Sequence, residues 1–580
     1  MAPQRTLPIP VAHREFTVKV NGTAVGREHQ LLALTITKSA NRISSARLVY
    51  LDGAASSGDF PLSNTDTFIP GREIEICAGP SNDAASLFRG LVIRQSLKVR
   101  DHTAPQLIVE CRHKAVKLTV GRRNAYFFDQ TDSDIIQALL AQAAIDADVE
   151  HTSVSHKQQV QYYATDWDFL LTRSEANGKL VFTNNDSVTV KGPSFHGASV
   201  CTLAFGSTII EMDAEIDARM QYSAVKSFTW DAAQQSVLDK EAEDPGVSGP
   251  GNLTSDDLAE VLGLEHYCLQ HTAVTGEEAQ AWADAQWLKS QMSRVSGRVK
   301  CEGIGTIHPG DIVTLSGVGE RYSGNVFVTG VRHDFDTAQG WKTHLQFGNA
   351  DSWLAETHDV SSVSASALLP GVSGLQIGIV VSNEDPDGEH RVRVRMPLVD
   401  KDEDGAWARV ASPDGGDDRG FFFRPEIGDE VLLGFLNDDP RRPVILGMLH
   451  SSAKPAPLSG SDENNKKGYQ SRSKMKLFFD DDKKAIQLET PAGNRIRFSE
   501  EDKAITIEDQ NGNKIEMTAD GIRIESVKEL SLKAGTELKL ESGTSFSAKG
   551  GANLKLEGSG GTEVSSSGIT KIRGSMVQIN

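Results

Sequence analysis

Three side chains of the kinds that bind metal ions lie close together in the sequence, at His266, Cys268 and His271. Imidazole and thiolate groups are the usual protein ligands of zinc. Their spacing suits neither one face of a helix nor a known zinc pattern, so we expect no metal site here. The sequence also contains no P-loop and no His-Glu-x-x-His motif. We therefore expect no catalytic residue and no cofactor.

Carboxylates cluster in the C-terminal region, at Asp480 to Asp482 and at Glu500 to Asp502. Convergent carboxylates on one face of a solenoid would suit a β-helical polysaccharide-degrading enzyme, which needs a general acid and a base or nucleophile. Here the carboxylates are interspersed with lysines in turns, a pattern typical of a solvated rim. Such an enzyme is the alternative to a function without catalysis.

The elements that carry these groups follow a repeat of apolar pairs. From Leu530 onward, two apolar residues one position apart recur every eight residues, and Gly535, Gly543 and Gly551 keep the same period. Because side chains alternate across a strand, each pair predicts a short strand with one buried face, and each glycine predicts a turn. Similar pairs extend upstream to Leu477. This short period is typical of a β-solenoid.

One apolar pair per turn is too little to fill the core of a single-chain solenoid, and strands this short are not stable alone. We therefore predict a trimeric needle over residues 473–580, in which three chains wind about one axis. The predicted core residues are Ile505, Ile507, Ile522, Ile524, Leu530, Leu532, Leu538, Leu540, Phe546, Leu554 and Leu556. A disordered tail and a single-chain β-helix are the alternatives.

Composition limits the classes of protein to which the chain can belong. A formal net charge of -19 over 580 residues argues against nucleic-acid binding, which requires a basic face. Five scattered cysteines, without a Cys-x-x-Cys pair, are typical of reduced residues in a protein made in the cytosol. We see no signal peptide and no run of ~20 apolar residues that could span a bilayer. If the protein leaves the cell, we expect another route.

Residues 14 to 110 alternate in the manner of strands and predict a β-rich barrel or sandwich. Asn21-Gly22 predicts a tight hairpin between the first two strands, at Phe16–Val20 and Leu34–Ile36. Three helices are predicted from their caps. The first is capped by Thr131, the second runs from near Asp166 to a stop at Gly178, and the third starts at the Thr275/Glu278 capping box. The segment 244–254 is predicted to be a loop.

Strands return between residues 295 and 347, where one stretch resembles an earlier one. Pro70-Gly71 leads into a strand, a loop and a second strand at Gly90, and Pro309-Gly310 leads into the same series with Gly324. If this is a duplication, three chains would present six similar barrels. The alternative is that such a Pro-Gly turn opens many unrelated strands.

Residues 361–374 are predicted to be a linker from their composition. Five short strands over residues 375–452 predict an OB-type barrel. Arg391, Arg393 and Arg395 raise the alternative of oligonucleotide binding. We do not favour it, because acidic turns flank the strand and aromatic side chains are not interleaved with the arginines.

At this point the chain resembles VgrG-type spike proteins of contractile injection systems, which are related to the hub and cell-puncturing needle of phage tails. Three groups of motifs carry the resemblance. They are Gly428-Asp-Glu-Val431 with Asp439-Pro440-Arg-Arg-Pro443 in the barrel, Gln161-Tyr-Tyr-Ala-Thr-Asp166-Trp167-Asp-Phe169 with Glu175 and Gly178 in the N-terminal region, and the turns at Thr490 to Asn494 and Gln510 to Asn513.

The resemblance implies a mainly β fold with a few helices, arranged in five parts. These are a hub of two β-barrel-like subdomains with inserted helices (1–360), a linker (361–374), an OB-fold neck (375–452), a connecting segment (453–472) and an intertwined triple-stranded β-helix (473–580). A homotrimer of such chains would cap the inner tube and puncture a target membrane mechanically. A trimeric phage receptor-binding fibre is a further alternative, although it would need no hub.

The resemblance also implies partners. A PAAR-repeat tip protein would contact Met576, Val577, Ile579 and Asn580, while inner tube and baseplate proteins would bind the hub. Effector cargo is a further expectation, and nucleic acid is not expected. The protein would be made in the cytoplasm and then assembled into a particle. Type VI systems and free phage-tail-like particles both use such spikes, and the lack of a C-terminal extension favours the particles.

Overall fold

The computed structural model describes residues 16–78, 85–271, 274–348, 352–358, 360 and 363–579. The chain forms two compact units, of which the first comprises Met1–Ser373 with Phe435–Pro440 and the second Gly374–Gly434 with Arg441–Asn580. The mainly β fold class is confirmed. In the part of the chain that is described, no helix has the length and apolar character needed to cross a bilayer.

The N-terminal unit is built on long antiparallel strands. Its strands are β1 (Phe16–Val20), β2 (Thr23–Ala24), β3 (Leu31–Ser39), β4 (Ser45–Leu51), β5 (Glu73–Ala78), β6 (Ala85–Arg100), β7 (Thr103–Arg112), β8 (Arg123–Phe127), β9 (Gln130–Thr131), β10 (Asp146–Val149), β11 (Ser155–His156), β12 (Gln159–Ala164), β13 (Leu180–Asn184), β14 (Ser187–Lys191), β15 (Cys201–Ala204), β16 (Ile209–Ile216), β17 (Val225–Asp231), β18 (Ser236–Glu241), β19 (Tyr267–His271), β20 (Val295–Glu302), β21 (Ile312–Ser316), β22 (Gly324–Asp336) and β23 (Gly340–Phe347). The largest sheet has the order β16-β20-β23-β22-β3-β4-β7-β6-β5-β1-β2, with β21 joining β22 to β15.

Helices connect and flank these strands. They are α1 (Asp132–Gln142), α2 (Asp166–Ala176), α3 (Ser255–Leu262), α4 (Gly276–Ser293) and α5 (Leu354–Thr357), with 3-10 turns at Lys114–Thr119, Ser364–Ala367 and Leu436–Asp438. The unit has one β core between Val18 and Cys111, a second between Leu203 and Phe347, and a core around α1 and α2 between them.

The predicted turn at Asn21-Gly22 is confirmed, but its predicted strand partner is wrong. Both residues have positive φ, 47° and 81°, as a tight hairpin requires. The hairpin joins β1 to the two-residue strand β2, and β1 pairs along its whole length with β5. The strand at Leu34 pairs instead with β4 and β22. Long-range pairing of this kind has no local sequence signal.

The three predicted helices are confirmed as α1, α2 and α4, with capping hydrogen bonds from Thr131, Thr165 and Thr275. Helix α3, which begins directly after the predicted loop at 244–254, was not predicted from the sequence. The signal for α3 was present: Thr254 and Asp257 form a capping box, and Gly263 ends the helix with φ 65°.

The suspected duplication has the same register in both halves. In the first half Glu73, Ile74, Glu75 and Ile76 lie opposite Leu91, Gly90, Arg89 and Phe88; in the second Ile312, Val313, Thr314 and Leu315 lie opposite Phe327, Val326, Asn325 and Gly324. The structural equivalent of Gly324 is therefore Phe88, and matching it to Gly90 from the sequence was wrong by two residues. The two halves share the register of their strands and not the position of the glycine in the second strand.

Residues predicted to form a linker are bound to the loop that follows the barrel strand at Phe435. The described part, residues 363–373, contains Ser364, whose hydroxyl donates to the Asp438 carboxylate at 2.9 Å. Val372 N–H donates to the Asp438 carbonyl at 2.8 Å. Both segments belong to the first compact unit.

The second unit begins with a closed barrel. Its strands are β24 (Gln376–Ser382), β25 (Val392–Arg395), β26 (Ala406–Val410), β29 (Glu430–Phe435) and β30 (Pro443–Met448), in the order β24-β25-β26-β30-β29, and a short hairpin of β27 (Gly415–Gly416) and β28 (Arg419–Gly420) projects from it. Small branched side chains fill the barrel, each at most 1% exposed: Val380, Val392, Val394, Ala408, Val431, Leu433 and Ile445. The predicted OB-type barrel is confirmed.

An antiparallel sheet follows the barrel along the chain. Its strands, each paired with the next, are β31 (Lys466–Gln470), β32 (Lys476–Asp480), β33 (Ala485–Glu489), β34 (Arg495–Ser499), β35 (Ala504–Glu508), β36 (Lys514–Thr518) and β37 (Gly521–Glu525). We refer to β31–β37 as the C-terminal sheet. Among the described residues 526–579, no strand is paired within the chain. The C-terminal sheet and residues 526–579 have the same pattern of apolar pairs, but only the C-terminal sheet has backbone partners within the described chain.

Candidate functional site

The apolar pairs of the C-terminal sheet all point to one face. Opposite residues in an antiparallel pair share a face, and each apolar residue here lies opposite another. One column runs Phe479, Ile486, Phe498, Ile505, Met517 and Ile522, and the other runs Leu477, Leu488, Ile496, Ile507, Ile515 and Ile524. We call these two columns the apolar face. The predicted core residues Ile505, Ile507, Ile522 and Ile524 all lie on it.

The apolar face is open in the single chain. Ile505 and Ile507 are 38% and 41% exposed, and Ile522 is 70% exposed. Thr506, which lies between the two isoleucines of β35 and points to the opposite face, is half-buried and therefore less exposed than either. A groove of about 750 Å³ runs along the second column. Exposed contiguous apolar surface of this kind marks an interaction site in a soluble protein.

The opposite face carries a column of alternating charge. Lys476, Glu489, Arg495, Glu508, Lys514 and Glu525 lie opposite one another in succession. Arg495 donates to the Glu508 carboxylate at 2.6 Å, and Lys476 lies 3.7 Å from Glu489. Each exposed ion pair contributes little to stability on its own, but a slip by one residue would move these charges onto the apolar face. This column therefore supports the register that presents the apolar face.

Two turns of the C-terminal sheet share one geometry. Gly493 and Gly512 have φ of 95° and 90°, and their N–H groups donate to the carbonyls of Thr490 and Asp509. In each turn an asparagine side chain accepts from the next layer along the chain: Asn494 from Gln510 N–H at 3.1 Å, and Asn513 from Val527 N–H at 2.9 Å. The stacking of turns thus continues past the last paired strand.

The predicted core residues beyond this sheet lie in extended chain without in-chain strand partners. Their side chains are exposed: Leu530, Leu532, Leu538, Leu540, Phe546, Leu554 and Leu556 range from 55% to 71%. Of the residues predicted to contact a tip protein, Met576, Val577 and Ile579 are exposed as well. Asn580 lies outside the described residues. The assignments of both sets stay predictions.

The motif that begins at Gln161 positions helix α2. Gln161 donates to Asp166 at 2.9 Å, and Trp167 and Phe169 are buried in the core around α1 and α2. At the far end, Glu175 pairs with the buried Lys289 of α4 and accepts from Leu354 N–H of α5 at 2.8 Å. The motif therefore joins three helices.

A buried ionic network between α1 and α2 was not found from the sequence. Asp132, which is 1% exposed, accepts two hydrogen bonds from Arg173 at 2.6 and 2.9 Å and one from Asn177 at 2.8 Å. His156 lies 3.1 Å from Asp132 and 3.0 Å from Glu278. Burial would raise the pKa of Asp132, but the hydrogen bonds and charge of Arg173 outweigh it and hold the pKa below its usual value.

The residues that first suggested chemistry do not converge. Cys268 and His271 alternate to opposite sides of β19, and His266 precedes the strand. His271 lies edge-on to Trp282, with ring centroids 6.2 Å apart. Within the described ranges, no group of three or more His, Cys, Asp or Glu side chains is arranged to hold a metal ion.

The barrel arginines are engaged by carboxylates. Arg391 binds Asp385 through two hydrogen bonds, at 2.8 and 2.7 Å, and holds the pKa of that carboxyl far below its usual range. Arg393 lies 2.9 Å from Asp404. Trp407 lies beside both guanidinium groups, with its ring centroid 5.7 and 5.6 Å away, although no aromatic side chain is interleaved with the arginines in the sequence.

Comparison with known families assigns each of these regions. Residues 11–337, more than half of the chain, match the Alg8 N-terminal domain. Residues 376–450 match the type VI secretion system/phage-baseplate injector OB domain, and residues 485–580 match the phage baseplate V C-terminal trimerisation domain. The chain belongs to the family that has the Alg8 N-terminal domain, and it resembles VgrG-type spike proteins.

VgrG-type relatives match over part of their length. The type VI secretion system spike protein VgrG3 of Vibrio cholerae is 30% identical over 128 residues, which is 19% of this chain and 12% of that protein. VgrG1a of Pseudomonas aeruginosa is 24% identical over 270 residues, 42% of this chain and 41% of that protein. The 43 kDa tail protein of prophage MuSo2 from Shewanella oneidensis has a TM-score of 0.44 at 14% identity, over 58% of this chain and 99% of that one. The chain spans less than half the length of either VgrG relative.

Proposed function

We propose that three copies of this chain form the central spike of a contractile injection apparatus, which caps an inner tube and punctures a target envelope mechanically. One observation carries the proposal: the apolar face of the C-terminal sheet is continuous, and the single chain leaves it uncovered. Three such faces turned toward one axis would bury all twelve apolar side chains per chain. The match of residues 485–580 to a trimerisation domain supports this arrangement.

The needle would begin at the C-terminal sheet and continue through the exposed residues from Leu530 to Leu556. In the sheet each chain supplies its own backbone partners and needs the other copies only for the apolar face. Beyond residue 525 the other copies would supply backbone partners as well, because none is provided within the described chain. A rod closed in this way has no free strand edge. It is suited to transmitting an axial force.

The parts nearer the N-terminus would attach the needle to the apparatus. The region matching the Alg8 N-terminal domain contains two β cores with the same strand register, so a trimer would present six similar units to a tube and baseplate. The barrel would serve as a neck. At the other end, the exposed Met576, Val577 and Ile579 would receive a PAAR-repeat tip protein. Effector cargo and passage out of the cell through the apparatus complete the proposal.

We propose no catalytic step for this chain. The relatives compared above are named as spike proteins. The carboxylates at 480–482 and 500–502 bind lysines across turns: Lys467 pairs with Asp481, and Lys483 lies 3.2 Å from Glu501. These pairs support the interpretation of a solvated rim. An assay on purified protein with acidic and neutral polysaccharides tests the enzymatic alternative directly.

The mass of the full-length protein in solution tests the trimer. Sedimentation equilibrium at micromolar concentration should give three times the chain mass of 62.8 kDa. Leu540→Asp should prevent association, because three carboxylates would meet in a dry core. The matched control is Lys539→Asp at the neighbouring, outward position, which should remain a trimer. A monomeric wild-type protein, or a normally associated Leu540→Asp variant, would overturn the proposal.

A further inference from the structure

The two halves of the large sheet are the same five-stranded unit, used twice. Strands β3, β4, β5, β6 and β7 correspond to β16, β20, β21, β22 and β23. Both halves have bulges at the same two places: Leu31/Ala33 in β3 and Ile209/Glu211 in β16, then Val92/Arg94 in β6 and Val328/Gly330 in β22. Bulges interrupt the pairing at specific residues. Their coincidence therefore fixes which residues of the two halves are equivalent.

The two units are joined within the chain by one pair of strands. The end of β22 pairs antiparallel with β3, with Gly330 opposite Ser39, Asp334 opposite Thr35 and Asp336 opposite Ala33. On one side of this junction the Thr35 hydroxyl donates to the Asp334 carboxylate at 2.9 Å. On the other side Phe335 packs against the first β core. The second unit thus adds its long strand to the sheet of the first.

Strand β6 is the equivalent of β22, and β16 is the equivalent of β3. The edges of β6 and β16 that correspond to this junction have no strand partner among the described residues. The end of β6, residues 94–100, pairs with β7 on one side, while β5 reaches only to Leu91 on the other. Strand β16 pairs with β20 and is the last strand of the sheet. Leu97 and Val99 on the free part of β6 are 47% and 62% exposed. An edge strand that is long and partly apolar is a template for pairing with another chain.

The pairing of β22 with β3 can be transferred to the edges of β6 and β16 by replacing each residue with its equivalent. In this register, oppositely charged residues lie opposite one another. Its equivalents are Arg94 opposite Asp217, Ser96 opposite Glu215, Lys98 opposite Asp213 and Arg100 opposite Glu211 on one side of the sheet, and Leu97 opposite Ala214 and Val99 opposite Met212 on the other. Three basic residues thus meet three acidic ones. Met212 and Ala214 already pack against the second β core, so Leu97 and Val99 would extend that core as Phe335 extends the first.

We propose that residues 94–100 of β6 pair antiparallel with residues 211–217 of β16 in a second copy of this chain, in this register. The occupant of each edge is therefore this same protein. The inference deepens the proposed function and rests on it, because it needs a second copy. Head-to-tail contacts of this type form a ring when the rotation closes. Three chains would form six junctions, alternately within and between chains.

The charged groups have in-chain contacts that the pairing leaves in place. Glu211 accepts from Lys300 at 2.8 Å, Asp217 accepts from Arg219, and Arg94 lies 3.8 Å from Glu110. All are exposed or half-buried contacts of the kind that tolerates a further partner. An open cavity of about 660 Å³ lies over the face that β16 shares with β20 and β23, and Asp213, Glu215 and Asp217 line it. These carboxylates are therefore accessible from that face of the sheet.

Disulfide trapping tests the register. With the exposed Cys268 replaced by Ser, Lys98→Cys and Asp213→Cys are combined in the full chain and mildly oxidised. We expect most of the protein to run at three times the chain mass on a non-reducing gel, because each chain is linked to both neighbours. Thr35→Cys with Asp334→Cys is the matched in-chain pair, and it should lose two thiols without a change of mass. Lys98→Cys with Ile216→Cys, out of register and on opposite faces, should not cross-link.

Hydrogen exchange on the unmodified protein provides a second measurement that no substitution can disturb. Peptides covering 93–101 and 210–217 should exchange at least tenfold more slowly than an unpaired strand edge. A trimer by sedimentation with neither cross-links nor protection would overturn the inference and leave the proposed spike intact. A protein that sediments as a monomer would overturn both.

Discussion

Gly71 and Gly310 occupy the same left-handed turn at the start of equivalent strands in the two halves of the N-terminal unit. Their φ angles are 100° and 97°. Their N–H groups donate to the carbonyls of Val92 and Val328 at 2.8 and 2.7 Å. The Pro-Gly motif suggests a duplication, and these agreements show that the two halves share individual hydrogen bonds as well.

Substitution of either glycine by alanine should therefore have the same effect. A Cβ at Gly71 would meet nothing within 4 Å, and at Gly310 only Phe182 at an ordinary 3.6 Å, so backbone strain alone should act. We expect each variant to lose about 1–2 kcal/mol of unfolding free energy, measured by urea denaturation. Gly197→Ala is the control, because its φ is not positive and its Cβ would make only an ordinary contact with Ile312 at 3.5 Å. Clearly unequal losses at Gly71 and Gly310 would contradict the equivalence.

The two faces of β35 should respond oppositely to the same substitution. Ile507→Asp places a carboxylate on the apolar face, where a trimer would bury three of them, at a cost of several kcal/mol. We expect loss of the trimer by light scattering. Thr506→Asp lies on the charged face opposite Arg497 and should change the association free energy by less than about 0.5 kcal/mol. Equal behaviour of the two variants would show that the apolar face is not the contact surface.

Removal of the Asp132 carboxylate should destabilise the helical core in a pH-dependent manner. Asp132→Asn leaves Arg173 and His156 without their shared partner, and we expect a loss of about 2–4 kcal/mol at pH 7. Because the pKa of Asp132 is lowered in the folded state, its contribution is complete above the unfolded value of about 3.9 and is lost as the pH falls through the folded pKa. The difference between the two proteins in urea should shrink accordingly.

The control for this prediction is Asp148→Asn, on the exposed side of β10 in the same region. A surface carboxylate there should change stability by less than about 0.5 kcal/mol at any pH. An Asp132 variant whose deficit persisted unchanged in strong acid would contradict the ionic role.

His333 should make the N-terminal unit sensitive to mild acid. Burial, together with the nearby Lys38, His308 and His344, lowers its pKa to about 3. The unfolded imidazole titrates near 6.5. The stability contributed by the neutral ring is therefore present above pH 6.5 and falls as the pH drops toward 3. His333 Nδ1 lies 3.0 Å from the Thr343 hydroxyl, whose oxygen also accepts from Ile304 N–H at 3.0 Å.

His333→Asn should accordingly reduce the dependence of the melting temperature on pH between 6.5 and 4. The variant loses packing at every pH, so the slope and not the absolute temperature is the measurement. His102 is 92% exposed on a turn, and His102→Asn should leave the slope unchanged. A wild-type melting temperature that is flat over this range would contradict the prediction.

Local features of the sequence were sufficient for helices α1, α2 and α4, the Asn21-Gly22 turn and the two-residue alternation that places Ile505 and Ile507 on one face. Each depends on residues that are neighbours along the chain, and the physical signal is therefore present in a short window. The capping box of α3 at Thr254 and Asp257 is a local signal of the same kind, although α3 was not predicted. The amphipathic pairs beyond Leu530 belong to this class as well, since their spacing is visible without knowing what covers them.

Only the tertiary structure decided which strands meet. Phe16–Val20 pairs with β5 and not with its neighbour in sequence, and β22 crosses nearly three hundred residues to reach β3. Backbone hydrogen bonds are nearly the same for every residue type except proline, so a short window of sequence does not show which distant strand is the partner. The burial of Asp132 among Arg173, Asn177 and His156, and the unequal supply of strand partners before and after residue 525, were decided in the same way, because both depend on groups far apart in the chain or outside it.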